Sequence, residues 1–457
     1  MSLWNSFSAK NIDLLKGPIF PSLLRFSAPF MLTALVRMAY NLTDMMWIGR
    51  INADAVAAVG ILGFIMWMGE AVSMIAQTGM GVYMAQAYGA RDRKETGHWM
   101  RSGYQLAFCV AFFFVLFMEL IMRPFIQAYG LGQVVNGYAE SYGRIVMIGV
   151  FFDMLNVLYS QAFQSLGDSL SPFRINAIGL IINVIMDPFL IFGLGPFPQW
   201  GMFGAGFATT FAQLVVFLLF ARATRTGNPI LSQARLQGKP DWGRWLAMTK
   251  LGLPVSLISM VHAGITMFLS RIIADFGAAG MAVTSMGSEI ESISWMTADS
   301  FGWAMTSMIG QNVGAGSRER VLRIMRIGLR TVWGIGCFAM LIFLLFRYPI
   351  FQIFIPNNPE TTRLGGAYLL IFSLSEPFMT LETGSSCSFN GLGKTVPPSL
   401  ISIIFNVARV PFAYLFVPHF GVSGVWMGMS LSSILKGVVC RLALAREVSH
   451  WKKTGKI

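Results

Sequence analysis

Charge is scarce in this chain. Asp, Glu, Lys and Arg make up 12% of its 457 residues, against about 25% in an ordinary soluble domain. With 55% of the residues hydrophobic, that scarcity excludes intrinsic disorder and a soluble two-domain enzyme. Cysteine is scarce as well. Cys109, Cys337, Cys387 and Cys440 lie in or beside apolar segments with no CxxC spacing, so neither a disulfide framework nor a thiolate metal site is expected. No HExxH, GxSxG, Walker A or glycine-rich strand-turn-helix signature occurs, which argues against an enzyme, a bound cofactor and a pump driven directly by ATP. A cleavable leader is not expected either: Met1–Lys16 is polar and mildly basic, and the first apolar stretch runs on into a full-length span.

What the chain has instead is apolar length. Thirty-eight Phe, 30 Met and 12 Trp accompany uncharged runs such as Tyr104–Met118 and Met202–Phe220. Continuous runs of this kind predict an all-α polytopic membrane protein and not a barrel, whose strands would alternate. Twelve spans are expected, at 20–48, 56–87, 98–122, 138–163, 172–194, 203–223, 247–275, 280–312, 322–346, 364–390, 397–418 and 422–444. Twelve crossings leave both termini on one side. Basic residues choose the side: Lys10, Lys16, Arg91, Arg93, Lys94, Arg222, Arg225, Arg235, Lys239, Arg244, Arg318, Arg320, Arg323, Arg326, Lys394, Arg446, Lys452, Lys453 and Lys456 share it. The opposite loops hold little beyond Arg50, Arg123, Arg347 and Arg363. Both termini are therefore expected in the cytoplasm, with the chain in the inner (plasma) membrane. The net charge of +13 reads as this topology signal and as contact with anionic lipids, not as nucleic-acid binding.

The chain repeats itself. Pro29/Pro254, Leu32/Leu257, Ala53/Ala278, Ala57/Ala282, Gln86/Gln311, Gly89/Gly314, Ala90/Ala315 and Arg93/Arg318 stand at one constant offset. With small gaps the series continues through Gly167/Gly393, Pro172/Pro398, Asn183/Asn406, Pro188/Pro411, Gly201/Gly421 and Gly204/Gly424. Six spans per half, an even number, give parallel repeats: an N-lobe at 1–223, a cytoplasmic linker at 224–245 and a C-lobe at 246–457, related by a pseudo-twofold axis. Two six-helix lobes of this kind are the layout of an alternating-access carrier.

Ionisable groups at membrane depth mark function, because each costs about 2.5–3.5 kcal/mol on insertion scales. Asp44, Glu70, Asp153, Asp187, Glu289, Glu291, Asp299, Glu376 and Glu382 fall inside the expected spans, with Arg37, Arg271 and Arg409 as embedded cations. Asn183 and Asp187 share a helix face, and Pro188 interrupts the backbone ladder beside them. With Thr209 and Asp44 they offer either an all-oxygen site for a hard monovalent cation or a proton-carrying carboxylate pair. The alternative is a plain interhelical bond. It is weakened by the repeat, which places Val410 opposite Asp187 and Leu269 opposite Asp44. Arg37 lies two turns before Asp44 and could pair with it, while Arg271 and Arg409 are expected to pair with Glu376, Glu382 or Glu289. His262, at the repeat position of Arg37, reads as a core histidine or a cavity group. Asn156 reads as an interhelical bond or a cavity group.

The residues Tyr40–Gly49 and Ala53–Gly60 resemble the first-helix region of the multidrug and toxic compound extrusion (MATE) transporters. So do Gln86, Gly89, Ala90 and Arg91, a motif repeated at Gln311–Gly316. Asn183–Pro188 with Gly204–Thr209 is similar to the fifth- and sixth-helix pattern of the DinF-like branch, and Gly391–Lys394 with Gly421–Trp426 matches the C-lobe pattern. The resemblance covers almost the whole chain. It implies export of organic, often cationic, compounds in exchange for Na⁺ or H⁺, with Asp44 as coupling carboxylate, Asn183, Asp187 and Thr209 as N-lobe cation ligands, and Tyr40 beside them. Arg37 departs from the pattern, and a fixed positive charge near Asp44 would compete with a cation and favour a zwitterionic or anionic substrate. His262 stands where some branches carry a C-lobe glutamate, so no C-lobe ion site is assigned. The expectation is a monomeric ion-coupled antiporter for a small organic substrate. A flippase for lipid-linked sugars, with Arg37, Arg271 and Arg409 serving a pyrophosphate, is the rival reading.

Overall fold

The computed structural model describes residues 13–130, 132–196, 198–354 and 359–454, and among them there is no β-strand. Lys10 and Lys456, two of the basic topology residues, lie outside the described residues, as does the side chain of Asn41 in the first-helix motif. Among the described residues thirteen α-helices follow one another: α1 Ile19–Gly49, α2 Ala53–Gly89, α3 Arg93–Ala128, α4 Gln133–Ser165, α5 Leu170–Phe192, α6 Gly201–Gly227, α7 Trp242–Ala274, α8 Ala278–Gly314, α9 Arg318–Phe354, α10 Pro359–Ser373, α11 Glu376–Gly391, α12 Val396–Phe420 and α13 Val422–Thr454.

Ten of these helices are long and apolar enough to cross a bilayer, and α10 with α11, bent by 45° at the break between them, meets the same measure only as a pair. The span expected at 364–390 is thus broken. The break falls at Leu374 and Ser375, just before Pro377 in the first turn of α11, where a ring without an N–H suits a helix start and not a helix interior. The remaining helix, α8, has 37 residues, but Glu289, Glu291, Asp299 and many Ser and Thr lower its hydropathy. A kink in α9 at Phe346 (φ −110°, ψ 16°) precedes Pro349, whose ring crowds the carbonyl one turn back.

The repeated sequence positions are the turns. After α2, Ala90 donates to Gln86 O and Asp92 to Ala87 O, with Arg91 at φ 62°. After α8, Ala315 donates to Gln311 O and Ser317 to Asn312 O, with Gly316 at φ 67°. The residue that follows the Gln-x-x-Gly-Ala run, Arg91 or Gly316, is therefore the left-handed residue of a helix stop. Gly167 (φ 89°) and Gly393 (φ 77°) end α4 and α11 in the same way, with Asp168 donating to Phe163 O and Lys394 to Phe389 O.

By packing the chain forms two compact units: Ala28–Ser256, and Leu14–Ser27 with the chain from Leu257 onward. The first unit includes the linker and the first half of α7. Two glycines explain why α7 begins there. A Cβ on Gly252 would come 2.1 Å from the Ile75 carbonyl oxygen, and one on Gly79 would come 2.4 Å from that of Met248. The backbones of α2 and α7 thus touch where only hydrogen fits, as small residues permit between membrane helices. The linker is tied down by Gln105 Nε2, which donates to the carbonyls of Leu236 (3.1 Å) and Gly238 (3.3 Å). In the second unit Asn312 Nδ2 donates to Leu14 O at 3.1 Å and Arg320 to Gly17 O at 2.6 Å, which ties the segment Leu14–Gly17 to α8 and α9. Trp426, fully buried, donates to Thr284 Oγ1 at 3.0 Å and packs edge-on against Tyr368.

Candidate functional site

The first unit brings four of the sequence-predicted groups together. Asn183 and Asp187 occupy one face of α5 and are both buried, as are Thr209 of α6 and Asp44 of α1. Tyr40, one turn before Asp44, donates its hydroxyl to Thr209 Oγ1 at 3.3 Å. Thr209 Oγ1 in turn donates to Ala205 O at 3.1 Å, so the hydroxyl is held by its own helix. Asn183 Nδ2 lies 3.4 Å from Asp187 Oδ1 and 3.3 Å from Thr209 Oγ1. With the amide turned over, it donates to Asp187 Oδ2 at 3.1 Å and accepts from the Thr209 N–H at 3.2 Å, which is the better arrangement. In both, the amide fastens the Asp187 carboxylate to α6.

Asp44 is different. Its Oδ1 is buried without a hydrogen-bond partner, and Asp187 lies within electrostatic reach of it. Two carboxylates in one low-dielectric site repel each other when both are ionised, and a buried acceptor left unpaired costs about 1–3 kcal/mol. The donor set is all oxygen: Asp44, Asp187, Thr209 Oγ1 and, in one amide orientation, Asn183 Oδ1. A monovalent hard cation or a proton suits it, and a divalent transition metal does not. Among the described residues no cluster of three or more His, Cys, Asp or Glu side chains occurs that would hold such a metal.

Tyr142 of α4 belongs to this cluster and escaped the sequence reading. It is fully buried beside Thr209 and within electrostatic reach of Asp44, Tyr40 and Asp187. A phenol in the middle of an apolar span was the available signal, because a buried hydroxyl needs a partner.

Three predicted residues lie elsewhere. Arg37 does not pair with Asp44. Its guanidinium contacts Glu70 at 3.0 Å and Asp153 at 4.0 Å, joining α1 to α2 and α4 in a cluster whose side chains are 50%, 45% and 31% exposed. One cation between two carboxylates leaves the cluster acidic, so the competing positive charge expected beside Asp44 is compensated. Asn156 is buried and donates to the Gln213 carbonyl and side-chain oxygens, both at 3.0 Å, an interhelical bond between α4 and α6 and not a cavity group. His262, in the second unit, faces Arg409 Nη1 through Nδ1 at 3.4 Å.

The expected ion pairs of Arg409 and Arg271 are absent among the described residues. Glu382 instead meets Lys436 at 3.5 Å and accepts from Ser386 and Ser402, both at 3.0 Å. Glu376 accepts from Ser294 Oγ, and Glu289 and Arg271 are exposed. Lys436, buried in α13, is a further embedded cation that the sequence reading missed, although it stands between Leu435 and Gly437 inside the span expected at 422–444.

Comparison with known proteins agrees with the repeat. The MatE family model matches twice, over residues 29–189 and 254–415. The chain is 24% identical over 91% of its length to a Thermotoga maritima protein named probable multidrug resistance protein NorM, covering 90% of that protein. It is 26% identical over 97% of its length to the Bacillus subtilis probable multidrug resistance protein YpnP, covering 98% of it. With a Shewanella oneidensis FAD transporter it shares 21% identity, over 93% of this chain and 94% of the other. Among solved structures, an outward-facing multidrug resistance MATE transporter of the MOP superfamily superposes with a TM-score of 0.89 at 22% identity, covering 98% of this chain and 99% of that one.

Proposed function

Because this chain belongs to the MATE family of multi-pass membrane transporters, we propose that it is a secondary antiporter of the inner membrane, termini in the cytoplasm. It exports organic amphiphilic compounds, cationic ones among them, in exchange for Na⁺ or H⁺ by alternating access. One observation carries this reading: the orphaned Oδ1 of Asp44, buried beside Asp187 and the Asn183–Thr209 pair. A cation or proton arriving there removes the repulsion between the carboxylates and supplies the missing partner. Tyr40 and Asp44 lie on α1, and Thr209 on α6, so occupancy changes how firmly the first helix is held. The ion and the substrate must favour different states, since a ligand that binds both states equally shifts nothing. The acidic surplus of Arg37, Glu70 and Asp153 supports cationic cargo. The rival flippase reading needs an uncompensated basic cluster around Arg37, and Glu70 and Asp153 oppose it.

Counterflow in proteoliposomes tests the proposal. Dye efflux should follow an imposed Na⁺ or pH gradient, and the responding gradient names the ion. Asp44→Asn should abolish gradient-driven efflux while leaving the thermal unfolding midpoint within a few degrees. Wild-type efflux by that variant would sink the assignment.

A further inference from the structure

The second unit contains a buried cation that no carboxylate neutralises directly. Arg409 is 7% exposed, and its Nε has no hydrogen-bond partner. Its two other contacts are neutral: Nη1 donates to His262 Nδ1 at 3.4 Å, and Nη2 to Ser433 Oγ at 3.3 Å. An imidazole nitrogen that accepts carries no proton, so His262 adds no counter-charge. Among the described residues no carboxylate oxygen lies within ion-pair distance of Arg409, and Glu382 and Glu291 act on it only from farther off. Glu382, the nearest candidate by sequence, is occupied by Lys436, Ser386 and Ser402.

Two helices converge on Arg409. On α13, Ser433 and Lys436 are three residues apart and share a face, and Lys436 is within electrostatic reach of both Arg409 and His262. On α12, Ser402, Asn406 and Arg409 form one stripe, and the Asn406 side-chain oxygen is also buried and unpaired. The stripe is thus short of an acceptor at Arg409 and of a donor at Asn406. A buried guanidinium with an unmatched N–H is costly, and an anion bound there would complete it. Arg409 sits roughly 20 Å along α12 from its start, at membrane depth, too deep for a lipid headgroup.

We propose that Arg409, with Ser433 and Lys436, forms an oxyanion site in the second unit that takes the carboxylate of an organic substrate. This rests on the exporter reading and extends its substrate class to zwitterionic and anionic amphiphiles. The guanidinium supplies Nε–H and an Nη–H as a fork matched to two oxygens of one carboxylate. The hydroxyl of Ser433 orients the fork. Lys436 shares its charge between Glu382 and the incoming anion, and Asn406 Oδ1 accepts from an N–H or O–H on the same ligand.

Fluorescence anisotropy on the full-length protein in lipid nanodiscs tests this with two xanthene dyes, anionic fluorescein and cationic rhodamine 6G, whose carboxyl is esterified. Wild type should bind fluorescein, Arg409→Gln should weaken it at least ~10-fold, and Ser433→Ala should weaken it ~2–3-fold. Rhodamine 6G affinity should change less than ~2-fold in both. Arg409→Lys should fall between wild type and Arg409→Gln, because it keeps charge and loses the fork. Should Arg409→Gln not fold, Ser433→Ala and Arg409→Lys carry the test alone. Fluorescein affinity unmoved by these variants, or an equal loss for both dyes, overturns the site. The assay needs no gradient, so loss of the anion site here and absence of efflux in proteoliposomes are read as separate failures.

Discussion

At matching repeat positions the first unit has Asp187 where the second has Val410, and Arg37 where the second has His262. The turns, by contrast, match in detail: Arg91 with Gly316 and Gly167 with Gly393 share left-handed conformations and the same closing hydrogen bonds. Geometry is repeated and charge is not. Helix stops and close helix contacts are needed in both halves for the chain to turn and pack, so the glycines and prolines recur. A buried ionisable group is costly wherever it stands, so it persists only where its chemistry is used. In the first unit that chemistry is acidic and all-oxygen. In the second it is mixed, with Lys436 held by Glu382 and Arg409 beyond ion-pair distance of every carboxylate among the described residues.

The comparison breaks most visibly if charge can be removed from the first unit without consequence. Asp187→Asn is expected to lower gradient-driven dye efflux by tens-fold, the scale of a coupling free energy of 1–3 kcal/mol. Neutralising Glu289, exposed on α8, should leave efflux in the same liposomes unchanged. Equal losses from both would end the claim that one acidic site couples transport. Next in size is the close contact of α2 and α7. Gly252→Val should destabilise the protein by about 3 kcal/mol, because the added carbons meet backbone and not a movable side chain. Thermal unfolding in detergent reads this as a lower midpoint, and an unchanged midpoint would refute the contact. The smallest effect sharpens the symmetry itself. Arg91→Gly should raise stability by about 1 kcal/mol and Gly316→Ala should lower it by a similar amount, since both positions have positive φ. Chemical denaturation of the paired variants should move in opposite directions.

Much of this protein was legible in the order of its residues. Apolar run length gave the helical membrane class, since a bilayer core demands about 20 uncharged residues per crossing. The constant offset of prolines and glycines revealed the repeat, because turn geometry constrains residue type locally. Asn183 and Asp187 could be paired in advance, as helical periodicity puts residues four apart on one face. Contacts between helices were not readable in this way. Which acid meets Arg37, which cation meets Glu382, that Tyr142 lies beside Thr209, and that Arg409 meets His262 and Ser433 all depend on how distant helices rotate and pack. Periodicity assigns a side chain to a face, but packing chooses what that face meets, and only the tertiary structure sets that choice.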